Sequence, residues 1–253
     1  MLEIRHLNCG WLQSGSNPRA SCHCLLLQQG ERLVLIDSGI GLKDIADPEG
    51  RIGREMLDIA GFQFHEELTA YRQIEAMDLN PAGVTHVVLT HGDPDHTGGL
   101  ADFPDATVHL SAEELAAIEA GDFRYPPAQF EHRPRWRAVG PSEQHWFEFE
   151  ARPLDLGLDG SVQLIPLFGH TLGHCGVAIQ SDSGWLFYIG DAYFLRGELT
   201  DPDHPVGKLS AQRAVNDPQR RTTLETLKRL HRDHSDEITM FGYHDETEFS
   251  FKS

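Results

Sequence analysis

The feature that most restricts the fold is a six-residue run, His91-Gly92-Asp93-Pro94-Asp95-His96, at the end of the apolar segment Val84–Thr90. Four imidazole or carboxylate groups crowded at a buried strand end would repel one another and lose solvation unless a cation held them. Three later apolar segments end in the same way. Val162–Leu167 runs into Phe168-Gly169-His170, Trp185–Ile189 into Gly190-Asp191, and Glu237–Phe241 into Gly242-Tyr243-His244. In layered folds the strand ends on one edge converge, and the loops there build sites. Glycine beside each chemical group permits the tight corner that such convergence needs.

The rest of the chain supplies a frame for those four ends. Glu3–Asn8, Ser21–Gln29 and Arg32–Ile36 alternate or run apolar between turn residues and are expected as strands. Leu68, Tyr71, Ile74 and Met77 recur at spacings of three, which predicts a helix over 66–78 that Asn80-Pro81 stops. A strand at Thr107–Leu110 precedes a helix at Ala112–Ala120. Residues 121–160 lack periodicity and are expected to be irregular, with one short strand near Trp146–Phe149. Gly176–Gln180 is a further strand. Asp217-Pro218 opens the last helix as N-cap and first-turn proline, with Leu224, Leu227 and Leu230 on one face. Two batches of strands, each followed by helices, predict two sheets with helices outside.

Charge narrows the function. The 253 residues carry 21 basic and 39 acidic side chains, a net charge of −18. That balance argues against nucleic acid and against an anionic membrane surface as partners. No apolar run approaches 18 residues, and the first residues, Met1-Leu2-Glu3-Ile4-Arg5-His6, lack the pattern of a secretory signal. A cytoplasmic protein acting on a small molecule is expected, with oligomeric state left open, a homodimer included. Cys9, Cys22, Cys24 and Cys175 are then expected to stay reduced. Mixed imidazole and carboxylate ligands suit zinc, iron or manganese. Seven such ligands exceed what one tetrahedral ion takes and match two ions sharing a bridge.

The motif and its spacing resemble the metallo-β-lactamase superfamily, whose αββα sandwich carries His-x-His-x-Asp-His followed by a distant His, Asp and His. The resemblance runs from Leu35-Ile36-Asp37-Ser38-Gly39 to His244 and includes His170-Thr171-Leu172-Gly173-His174, similar to the family's third motif. It implies an α/β chain folded as a four-layer αββα sandwich, with residues 1–253 as one such domain. It also implies two divalent ions, zinc first by family. One would take His91, Asp93 and His170, the other Asp95, His96 and His244, with Asp191 bridging. Asp37 and His174 would support them from behind. The implied reaction is attack of a metal-bridging hydroxide on an ester, lactone or thioester, with Asp95 passing the proton. Tyr193, two residues beyond Asp191, is a candidate oxyanion donor, or else a buried strand-end aromatic.

Asp93 departs from the family pattern, which has a second histidine there. Three carboxylates and a hydroxide would neutralise two divalent ions, leaving a less acidic bound water and a site tilted toward iron or manganese. Alternatively the first site is weak and one ion works alone. Length and the Phe241-Gly242-Tyr243-His244-Asp245 ending are similar to acyl-homoserine lactonases, which place a tyrosine where this chain has Phe194. Mononuclear-iron persulfide dioxygenases, through His91, His170 and Asp191, and a non-catalytic metal-bound sensor are the alternatives. Substrate choice is expected to lie in 39–69, 121–160 and 192–215, with Phe62, Phe64, Phe123, Tyr125, Trp136, Phe194 and Leu195 as pocket candidates.

Overall fold

The computed structural model describes residues 1–15, 18–181 and 184–250. Its first three strands, β1 (Glu3–Leu12), β2 (Ala20–Gln29) and β3 (Arg32–Ile36), pair antiparallel, with Glu3 opposite Gln28 and Leu25 opposite Ile36. β4 (Phe62–Gln63) extends the β1 edge, while β5 (Val84–Val88), β6 (Thr107–Ser111) and β7 (Arg135–Val139) continue from β3 in parallel. The resulting order is β4-β1-β2-β3-β5-β6-β7. After a short hairpin of β8 (His145–Trp146) and β9 (Phe149–Glu150) comes the second sheet. It orders β10 (Arg152–Pro153), β11 (Val162–Pro166), β12 (Cys175–Ser181), β13 (Gly184–Tyr188) and β14 (Ile238–Phe241), with only the last pair parallel.

Parallel neighbours require crossovers, and helices supply them. α1 (Leu42–Ala46), α2 (Pro48–Arg51), α3 (Arg54–Ala60) and α4 (Ala70–Ala76) connect β3 to β5, with β4 between α3 and α4. α5 (Pro94–Thr97) follows β5, and α6 (Ala112–Glu119) follows β6. α7 (Gly207–Arg213) and α8 (Asp217–His234) carry the chain from β13 to β14.

Alternation along the second sheet divides its side chains between two cores. Leu164, Val177, Leu186 and Phe241 pack with Leu7, Leu25 and Val87 of the first sheet. Ile165, Ala178, Phe187 and Met240 face outward onto Leu224, Leu227 and Leu230 of α8. These strands are buried on both faces, which is why they read as unbroken apolar runs. The architecture is the expected sandwich of two sheets between helices.

Some element boundaries differ from expectation, each for a local reason. The helix predicted over 66–78 is a 3₁₀ turn at Glu66–Leu68 followed by α4, because the Thr69 hydroxyl accepts the Arg72 N–H (3.3 Å) and caps a new start. The cap of α8 is Asn216, whose side chain accepts the Gln219 N–H (3.1 Å), while Asp217 pairs with Arg220 and Arg221. β7, inside the stretch expected to be irregular, is an edge strand with exposed arginines and so lacks apolar alternation. All four cysteines are free and buried.

Candidate metal centre

The carboxyl ends of β5, β11, β13 and β14 meet at one place. His91 lies just past β5, and the single turn of α5 presents Asp95 and His96. His170, Asp191 and His244 arrive from the other three strand ends. Two groups form: His91, His170 and Asp191, and Asp95, His96 and His244, each with its ligand atoms within 4.8 Å of one another. Asp191 stands between them. Its Oδ2 is 3.2 Å from His244 Nε2 and 3.5 Å from His170 Nε2, and its Oδ1 is 3.4 Å from His96 Nε2.

Two glycines make this approach possible. Gly169 has φ of 131°, and a Cβ there would lie 2.2 Å from the Arg220 backbone nitrogen. Gly190, at φ of 54°, lies so close to His174 that a Cβ would be 2.8 Å from Nε2.

Three of the imidazoles are held from behind. Asp37 Oδ2 accepts from His96 Nδ1 (2.8 Å), from the Tyr188 hydroxyl (2.7 Å) and from the Thr90 hydroxyl (2.8 Å), leaving His96 Nε2 facing the cluster. His244 Nδ1 donates to the Ser21 carbonyl (2.9 Å). His174 donates through Nδ1 to the Leu167 carbonyl and accepts the Asp191 backbone N–H at Nε2, each at 3.0 Å. It is therefore a support of Asp191, as its place in the third motif implies. Glu114, which sequence reasoning missed, accepts from Gly92 N–H, Gly173 N–H and the Tyr125 and Thr171 hydroxyls at 2.6–3.0 Å. One buried carboxylate thereby ties the 91–96 turn to the 170–174 turn.

Electrostatics follow from burial and proximity. Burial holds His91 well below the ordinary histidine range, and burial with the Arg124 charge lowers His170. For His96, burial is outweighed by Asp37, Asp95 and Asp191, which raise it. Burial lifts the Asp95 carboxyl, whereas His244 and His96 overcome the same penalty at Asp191 and lower it. His91 Nε2, His96 Nε2 and Asp191 Oδ1 are buried and make no hydrogen bond among the described residues. Orphaned lone pairs on a mixed nitrogen and oxygen donor set fit a transition-metal or zinc ion.

Two residues have surroundings that the sequence does not signal. Asp93 is expected to be a ligand of the first ion with His91 and His170. Its Oδ2 does lie 3.3 Å from His91 Nε2 and 3.4 Å from His170 Nε2. The carboxylate is, however, gripped by one edge of the Arg124 guanidinium, Nε on Oδ1 and Nη2 on Oδ2. Its charge is already balanced by the protein, so the argument for an electrically neutral two-ion cluster fails. Arg124 carries no motif; only the unusual carboxylate at 93, which needs a counter-charge, could have signalled it. Tyr193, the candidate oxyanion donor, is fully buried in the second core, and its hydroxyl donates to Glu248 Oε1 (2.9 Å). It does not line the cavity, so the alternative reading of a buried aromatic describes it.

A cavity of about 510 Å³ opens above the cluster, with Asp93, Asp95, His170, Asp191 and His244 in its lining. Its walls are apolar: Leu12, Met56, Ile59, Phe62, Phe194, Leu195, Val206 and Leu209, with Arg19, His204 and Arg213 as polar members. Of the aromatic pocket candidates, Phe62 and Phe194 are present. Phe123 is exposed, Tyr125 is bound to Glu114, and Trp136 packs on Phe130. The segment 121–160 contributes nothing to the lining, whereas Leu12, Ser14, Pro18, Arg19 and Ala20 do.

Residues 17–238 match the model of the metallo-β-lactamase superfamily. The chain belongs to that superfamily. A probable metallo-hydrolase of Mycobacterium tuberculosis, Rv2300c, is 36% identical over 255 residues, covering 96% of this chain and 80% of the relative. The N-acyl homoserine lactonase AttM of Azorhizobium caulinodans is 26% identical over 198 residues, covering 76% of this chain and 72% of that protein. In three dimensions the chain is similar to B. thuringiensis AiiA, solved with N-decanoyl-L-homoserine at its active site. The TM-score is 0.75 at 17% identity, covering 98% of this chain and 96% of that one. The protein is a metal-dependent hydrolase of the superfamily, related to N-acyl homoserine lactonases. No helix among the described residues is long and apolar enough to cross a membrane.

Proposed function

We propose that the protein hydrolyses an ester, lactone or thioester that carries an apolar acyl group. The observation that carries this reading is the placement of two buried ligand groups at the floor of an apolar-walled cavity. His91, His170 and Asp191 would hold one divalent ion and Asp95, His96 and His244 the other, with Asp191 between them. Bound there, such ions supply Lewis-acid polarisation of a carbonyl and a water acidic enough to attack it at neutral pH.

The side chains have separate tasks. Asp95 lines the cavity, where its carboxylate would take a proton and return it to a leaving oxygen. Phe194 stands edge-on to His170 and His244, with ring centroids 5.7 and 5.2 Å away. It presents an apolar edge where acyl-homoserine lactonases, by resemblance, present a hydroxyl. With Leu195 and Phe62 it excludes water and favours a hydrocarbon tail.

The dioxygenase reading draws on one observation, that His91, His170 and Asp191 form the two-histidine, one-carboxylate set favoured by mononuclear iron. The intact second group favours hydrolysis. Elemental analysis of protein purified without added metal, followed by assays on lactones, thioesters, phosphodiesters and persulfides, separates the two. Turnover of acyl lactones or thioesters that a chelator abolishes is expected; oxygen consumption on a persulfide with one iron per chain would sink the hydrolytic assignment.

A further inference from the structure

Arg124 lies in the loop after α6, where the Asp122 side chain accepts its backbone N–H (3.0 Å). Its guanidinium is buried and fully engaged. Nε and Nη2 grip Asp93, Nη1 donates to the Arg213 carbonyl at the end of α7 (2.7 Å), and Nη2 lies 2.7 Å from His170 Nε2. Guanidinium has donors and no acceptor, so that last contact requires Nε2 to be the unprotonated nitrogen of His170. An imidazole nitrogen has one lone pair. It cannot accept from Arg124 and ligate a cation at the same moment.

We propose that Arg124 is a resident cation that competes with the first metal ion for His170 Nε2 and the neighbouring Asp93 carboxylate. The two groups are then unequal. Asp95, His96 and His244 bind an ion without obstruction, because no lysine or arginine pairs with any of them among the described residues. The His91, His170 and Asp191 group accepts an ion only when Nη2 leaves His170. The grips on Asp93 Oδ1 and the Arg213 carbonyl oppose that movement. Arg124 is thus a positioning residue that sets metal occupancy, and it ties that occupancy to α7, whose Leu209 and Arg213 line the cavity. The inference rests on the two-site reading above.

The test is a zinc titration of metal-stripped protein, read by equilibrium dialysis and elemental analysis. Wild type is expected to take one ion tightly and a second at least about 10-fold more weakly. Arg124→Met should tighten the second ion by a similar factor and leave the first unchanged. Arg124→Lys, which keeps the charge without the fork, should fall between. A purely structural role would instead weaken both ions in both variants, and that result would overturn the proposal. Two ions of equal affinity in wild type would overturn it without any variant, and would leave the hydrolase reading intact. No tight ion in any of the three proteins would remove the two-site reading, and this inference with it.

Discussion

The two halves of the candidate centre are built differently. On one side, His96 and His244 are held from behind through Nδ1, by Asp37 and by the Ser21 carbonyl, and their remaining nitrogens face the cluster. On the other, His170 Nδ1 has no partner among the described residues and its Nε2 meets a guanidinium. One half is arranged around an incoming cation, whereas the other already contains one. A carboxylate in a ligand motif is therefore informative only together with whatever neutralises it.

Asp191 belongs to both halves, so Asp191→Ala should erase the contrast. Metal content and hydrolysis are expected to fall together by more than about 100-fold, measured by elemental analysis and initial rates. Loss of rate with both ions retained would show that Asp191 does not hold them. Next in size is a stability difference. Asp93→Asn strands a buried guanidinium and should cost about 3–5 kcal/mol in urea unfolding, while Asp95→Asn, with no such partner, should cost less. Equal losses would mean that the Asp93–Arg124 pair contributes no more than an ordinary buried carboxylate. Asp37→Asn should weaken zinc at the unobstructed half by about 10–100-fold and the other half less, since Asp37 reaches His91 only through the Thr90 hydroxyl (3.0 Å from His91 Nδ1). The smallest effect belongs to Tyr193→Phe, expected to leave turnover within about twofold and to lower stability by about 1 kcal/mol through the lost bond to Glu248. A large fall in turnover would return that hydroxyl to the reaction.

The strands and their chemical ends could be read from sequence because burial on both faces leaves apolar runs, and the corner glycines mark where those runs stop. His91, His96, His170 and His244 were visible for that reason. Arg124 was not, because a lone arginine in an aperiodic stretch has no pattern, and its partner lies 31 residues away. Glu114 was hidden similarly: it occupies an ordinary position on a helix, and only tertiary packing brings four donors to it. The wall residues Leu12, Arg19 and Ala20 escaped notice since nothing local distinguishes a strand end facing solvent from one facing a pocket. Tyr193 shows the opposite hazard, where proximity in sequence to Asp191 suggested a role that a turn of the backbone denies.

The bond from His244 to Ser21 has a consequence for biosynthesis. A ribosome exposes the 91–96 turn long before it adds residue 244, and β14 must then dock beside β13 while its histidine reaches back to the second strand. Until that late, long-range closure is made, the group of Asp95, His96 and His244 lacks one of its three members, whereas His91, His170 and Asp191 are all in place in the chain by residue 191. Filling of that second group would therefore wait on β14, and a chain cut before residue 244 would keep only the first.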